Sequence, residues 1–215
     1  MRRHRPRTQR RRVEILRAAA AAFRRRGYHG ASIDQIAAAL NMAKGNLYYY
    51  FRNKEEILYL CHDYSLGLIM EELKAVEQSG LPPNRQIHRL IVSFVHLFID
   101  VLHGTAWTLE VEALSAPLLK KVIAKRDRID KGFRRILGNG VASRQFTKRD
   151  PKLTSFVIFG AINWIPRWYD PAGRATSSEI ANLFADYLVA GLQSRSGALA
   201  IRARAGRGSA RRLGS

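Results

Sequence analysis

The chain has 215 residues, 47% of them apolar and 25% charged, with a formal net charge of +20. That is enough apolar sequence for one or two domains with a proper core, and the single Cys61 excludes an intramolecular disulfide and fits a reducing cytosol. The charge is uneven: residues 1–12 hold seven arginines and no acid, residues 195–215 hold six and no acid, and the body between them is only modestly basic. Such ends bind polyanions, nucleic acid first, although a solvated, disordered tail is an equal reading of the C-terminal one. No segment is apolar enough to span a membrane; the best run, Leu90 to Leu102, contains His96 and Asp100. The basic N-terminus lacks a signal-peptide shape because Arg17 breaks the apolar stretch, so the expected location is the cytoplasm.

The spacing predicts helices throughout. The first spans about Arg10 to Arg26, with Val13, Leu16, Ala20 and Phe23 inward, three arginines at its C-terminal end and Gly27 as its cap. A short second helix covers Ser32 to Leu40, with Ile33, Ile36, Ala37 and Leu40 on one face and Ser32-x-x-Gln35 as a capping box. Asn41 to Ala43 form a turn, where Asn tolerates the left-handed backbone. A third helix, Ala43 to Phe51, buries Leu47, Tyr50 and Phe51 and leaves Lys44, Gly45, Tyr48 and Tyr49 free. Asn53 caps the next helix, with Glu56 as the second half of that box.

A long fourth helix runs from Lys54 to about Gln78 and stops at Ser79-Gly80-Leu81-Pro82-Pro83. Helices follow over Asn84 to His103, Thr105 to Ser115, Leu118 to Leu137, Pro151 to Tyr169 and Ser178 to Ser194, with Gly138 to Gly140 a weak point. The expected fold is therefore all-α, about nine helices, with no strand and no heptad register. The expected division is a small domain over 1–53 with its basic arm, a helical domain over 54–194 and a basic tail over 195–215. The fourth helix would belong to both domains as a lever.

Two short helices joined by three residues can present the second to the major groove of DNA. Lys44 lies at a helix N-terminus that favours phosphate, Gly45 allows close backbone approach, and Tyr48 and Tyr49 offer hydroxyls to phosphates and ring faces to thymine methyls. Lys54 is placed for another phosphate. The candidate DNA-contacting set is Ser32, Lys44, Gly45, Asn46, Tyr48, Tyr49 and Lys54. The segment resembles the DNA-binding domain of the TetR family of bacterial repressors. The match runs from Gly27-Tyr28-x-Gly30-x-Ser32 through Ile36-Ala37 to Gly45-x-Leu47-Tyr48-x-x-Phe51-x-x-Lys54-Glu55. It departs from the usual pattern at Asn41, where Gly is common, at Ala43, where Ser often caps, and at Tyr50, where His is frequent.

The resemblance implies a homodimer that represses transcription from a palindromic operator on double-stranded DNA and lets go when a small-molecule inducer binds. It also implies that the last two helices form the dimer interface, for which Phe184, Tyr187, Leu188 and Gly191 are the candidates, with Gly160 and Gly191 permitting close approach. Packing within one chain is the plainer account of the same residues. The string Asn163-Trp164-x-x-Arg167-Trp168-Tyr169 resembles TetR regulators of fatty-acid and sterol catabolism, which sense acyl-CoA thioesters. The expected ligand set is Trp107, Glu110, Asn163, Trp164, Arg167 and Trp168, with Arg167 for an anionic group and Pro166 interrupting the helix. A kinked, packed helix with Arg167 as a helix-end cation is equally open.

His88, His96 and His103 are spaced too widely along one helix to share a metal, so they are expected as pocket or core side chains. No P-loop, G-x-G-x-x-G, G-x-S-x-G or H-E-x-x-H pattern occurs, so no enzyme, cofactor or metal is expected. Two rivals to a ligand-responsive repressor remain: a non-specific nucleic-acid binder driven by the arginine ends, and a helical ligand-binding protein with a vestigial helix-turn-helix.

Overall fold

A computed structural model describes residues 5–101 and 110–193. Helix α1 spans Arg5–Gly30 and its alanine-rich middle packs Ile15, Leu16, Ala19, Ala20 and Phe23 inward. It starts about five residues earlier than the spacing suggests, so residues 5–9, expected in the basic arm, are its first turns. Its regular path ends at Gly27, whose φ of 69° is one that side chains other than glycine resist.

Helix α2, Ile33–Ala38, carries the expected capping box: the Gln35 N–H donates to Ser32 Oγ and the Ser32 N–H donates to Gln35 Oε1, both at 3.2 Å. Asn41 adopts φ 51°, the left-handed turn its side chain tolerates. Helix α3 is only Lys44–Tyr48, and Ala43 caps it with no side-chain bond. Asn53 Oδ1 accepts from the Glu56 N–H at 2.8 Å, but Glu56 reaches back to the Arg52 N–H, one residue before the cap.

Helix α4, Lys54–Glu77, runs through the molecule and buries Ile57, Leu58, Cys61, Leu66, Ile69, Leu73 and Val76. Burial pushes the Cys61 thiol far above its ordinary range, and its Sγ lies 3.4 Å from the Leu16 carbonyl, so it is an inert core group. After the break at Gly80 comes α5, Pro83–His96, which continues as a π turn over Leu97–Val101. The helix expected over Thr105 to Ser115 falls partly outside the described residues; the part inside is a 3₁₀ turn, Val111–Ala113.

Helix α6, Ala116–Ala142, passes straight through the glycines expected to weaken it. Of these, Gly140 lets the Phe146 ring approach, where an added Cβ would collide with it; Gly132, earlier in the helix, does the same for Leu73. Helix α7 is Pro151–Trp168 and α8 is Ser177–Leu192, the latter opened by a second capping box between Thr176 and Glu179. Pro166 falls in the last turn of α7, so it ends the helix rather than kinking its middle.

Phe94 of α5, Phe133 of α6 and Phe159 of α7 meet with ring centroids 4.9–6.3 Å apart. The buried side chains form one connected core from Ile15 to Leu192. Among the described residues the only β pairing is the isolated bridge between Phe146 and Gln193.

A candidate nucleic-acid interface and its supports

The back of α3 is fixed by Leu47, fully buried, and by Phe51 just after it. The front is open to water: Tyr49 is 81% and Tyr48 47% exposed, and Lys44, Gly45 and Asn46 are exposed beside them. A Cβ on Gly45 would meet nothing within 4 Å, so the surface there is unobstructed. Tyr49 packs edge-on against Tyr50, which lies half-buried. Five of the expected DNA contacts are therefore exposed on α3 and its C-terminal cap.

The other two do something else. Ser32 is committed to the cap of α2. Lys54 Nζ donates to the carbonyls of Tyr28 at 2.8 Å and Ala31 at 3.0 Å, and sits 4.4 Å from the Tyr28 ring centroid. It ties the first turn of α4 to the end of α1, and a phosphate would have to compete with these oxygens for it.

Two features of this surface are invisible in sequence. Lys44 Nζ is 2.9 Å from Asp34 Oδ2, a partner ten residues earlier on α2. That carboxylate pushes the Lys44 ammonium above the usual lysine range. Arg11 pairs with Glu14 and reaches the Leu40 carbonyl, and Arg12 lies over the Phe51 ring. No periodicity signals a pair across two helices or a side chain folded back on a turn.

Those of the expected ligand residues that are described do not converge. Trp107 lies outside the described residues, as does His103. Glu110 is exposed and meets α1: its Oε1 accepts from the Tyr28 N–H at 3.2 Å, beside the backbone of Gly27. Trp164 and Trp168 are 59% and 47% exposed, and Arg167, also exposed, lies over the Trp164 ring. Asn163 reaches a space of about 350 Å³ between α6 and α7 that it lines with Arg126, Asp127, Asp130, Phe156 and Phe159. Its Oδ1 is buried with no hydrogen-bond partner there. Burial lowers the Arg126 guanidinium below its ordinary range, while Glu112 pulls the other way.

His88 and His96 are neither core nor pocket groups: each is half-buried with a nitrogen within hydrogen-bonding distance of an acid, Asp186 at 3.1 Å and Asp100 at 2.9 Å.

The residues expected at a dimer interface divide by burial. Phe184 is half-buried and stacks on Trp168, Leu188 is half-buried, and Tyr187 and Gly191 face outward. With Leu153, Phe156, Val157, Trp164 and Leu183 they make a broad exposed apolar face along α7 and α8. Among the described residues, a Cβ added at Gly160 or Gly191 would meet nothing within 4 Å.

Residues 15–59 match the model described as bacterial regulatory proteins, tetR family, and residues 80–192 match that of the tetracyclin repressor-like C-terminal domain. The HTH-type transcriptional regulator YhgD of Bacillus subtilis is 26% identical over 186 residues, covering 84% of this chain and 95% of that protein. Among solved structures, the TetR family transcriptional regulator PfmR of Thermus thermophilus is 29% identical with a TM-score of 0.74, covering 84% of this chain and 99% of that one. AibR in complex with isovaleryl coenzyme A and operator DNA is 26% identical with a TM-score of 0.67, covering 85% and 98%. Among the described residues no helix is long and apolar enough to cross a membrane. With both halves matched in order and most of the chain covered by regulators of like length, the chain belongs to the tetR family of helix-turn-helix transcriptional regulators.

Proposed function

We propose that the protein is a homodimeric repressor that seats α3 in the major groove of a palindromic operator and is released by an acyl-CoA. One observation carries the DNA part: α3 is locked from behind by Leu47 and Phe51 while Tyr48 and Tyr49 stand in water beside Lys44 and Gly45. Side chains of that size left open on one surface mark a binding site. Two copies about a two-fold axis would read half-sites one helical turn apart. The exposed apolar face of α7 and α8 supports the dimer.

The ligand rests on two supports. A relative of like fold was solved with isovaleryl coenzyme A and operator DNA. The cavity of α6 and α7 offers phenyl rings for an acyl chain, and Asn163 and Arg126 for its polar end. Residues 1–53 act as the reading head, 54–194 as the ligand and dimer body, with α4 as the lever between them, and residues 195–215 as a basic tail. Inducer binds better to the spacing of heads that misfits the operator, and so lowers operator affinity. The work is done in the cytoplasm and involves no catalysis.

Selection from random duplexes should recover an inverted repeat. Tyr49→Ala should cost about 1–3 kcal/mol on that repeat and relax one or two of its positions. Acyl-CoAs, free acids and uncharged hydrophobes then compete for release of the repeat. Recovery of no preferred sequence would leave a non-specific binder, and release by uncharged hydrophobes alone would overturn the acyl-CoA assignment.

A further inference from the structure

The Lys44–Asp34 pair lies on the surface assigned to DNA, and it is the feature that assignment leaves unused. Both side chains are more than half exposed, so the pair contributes little to folding. Asp34 has a second local role in the first turn of α2, where a carboxylate favours the helix dipole, but that role does not require Lys44. The arrangement puts an anionic oxygen 2.9 Å from the ammonium, the distance and charge that a DNA phosphate would offer. A phosphate brought to that ammonium would compete with the carboxylate for its charge.

We infer that Asp34 is a positioning residue that stands in for a phosphate on Lys44, so that a DNA phosphate reaching Lys44 competes with an internal carboxylate already seated on its ammonium. The inference rests on the reading of α3 as the DNA-facing helix. Three consequences follow from charge alone. Lys44 enters binding already neutralised, so it releases little of the counterion atmosphere that an unpaired lysine would. A displaced Asp34 carboxylate remains near the phosphates and repels them. Because phosphates carry no base identity, the penalty falls alike on operator and non-operator DNA. Asp34 thereby lowers the protein's hold on random duplex, and a regulator searching among many competing sites gains from weaker non-specific binding.

The test uses the full chain and a random-sequence duplex, titrated at several salt concentrations, with wild type, Asp34→Asn, Lys44→Gln and the double variant. Melting temperatures confirm that all four fold. Asp34→Asn should bind about three- to tenfold tighter at low salt, from the Coulomb attraction it frees. Its log-log salt slope should steepen by about one unit, since Lys44 then counts as a full phosphate contact. Lys44→Gln should weaken binding, and in that background Asp34→Asn should gain much less, because its benefit passes through Lys44. Equal gains in both backgrounds would mean plain charge repulsion and overturn the inference. So would an Asp34→Asn variant that binds no tighter while Lys44→Gln binds more weakly. If Lys44→Gln leaves duplex binding unchanged, Lys44 meets no phosphate and this inference fails, while the reading of α3 is decided separately by Tyr49→Ala.

Discussion

Single residues divide by whether their role is local. Gly27 as a helix stop, Asn41 in the left-handed region and the Ser32–Gln35 box were all legible in the sequence, because each is set by its own backbone and its near neighbours. Lys54 was not. Its position after a helix cap fits a phosphate contact, yet its ammonium faces the carbonyls of Tyr28 and Ala31 and the Tyr28 ring. Bonds from a charged donor are worth more than neutral ones, and this donor is half-buried. Lys54→Met keeps the stem and removes the donor. It should cost about 1–3 kcal/mol in denaturant unfolding, from carbonyls left without their charged partner. Any loss of DNA affinity should then come with a lower melting temperature and an unchanged salt slope. A stable Lys54→Met protein whose salt slope falls by about one unit would instead restore Lys54 as a phosphate contact.

Elements were legible where their ends are written in caps and prolines. The extents of α2, α4, α7 and α8 agree with the sequence reading to within a few residues, because box, proline and glycine signals act within one turn. What joins one element to another was not legible. The segment after α5 is pinned twice, to α1 and to the first turn of α4: the Tyr28 N–H donates to Glu110, and the Ser115 N–H donates to Glu55 Oε1 at 2.7 Å. The hydrogen bond from Ser115 holds the Glu55 carboxyl below the usual glutamate range. A carboxyl depressed in the folded state stabilises it above the unfolded value and loses that contribution as pH falls through the folded one. Glu55→Gln should therefore melt below wild type at neutral pH. The gap should close as the solution is taken below about pH 4, the ordinary range of a glutamate. A gap that persists unchanged to low pH would show that the substitution acts through shape and not through this charge.

At the scale of the whole molecule, helical class and the lengths of the last two helices were plain, but which face of each is inside was not. Helix α7 is apolar nearly all round, so its spacing marks Phe159 and Val157 alike as core; only the packing of α5 and α6 shows that Phe159 is covered and Val157 is 66% exposed. For the same reason Trp164 and Trp168 read as a pocket wall and stand on the outside. The outward face, with the cleft of about 360 Å³ that Leu153, Val157, Tyr187 and Leu188 line between α7 and α8, has the chemistry of a subunit contact. Tyr187 is 74% exposed and Val157 66%, so replacing them disturbs little of the core. In the double variant Val157→Glu/Tyr187→Glu each copy brings two carboxylates to a contact that would have to strip them of water without a partner. Sedimentation should show the dissociation constant raised by at least about a hundredfold, a modest share of that desolvation penalty. The monomer should keep its helical signal and unfold within about 0.5 kcal/mol of the parent, as exposed substitutions do. Operator binding should fall with the dimer, because a single head holds only half of the site, while affinity for random duplex per head should change little. A variant that remains a tight dimer with all four carboxylates in place would put the interface on another face, and the exposed tryptophans would then need a different partner.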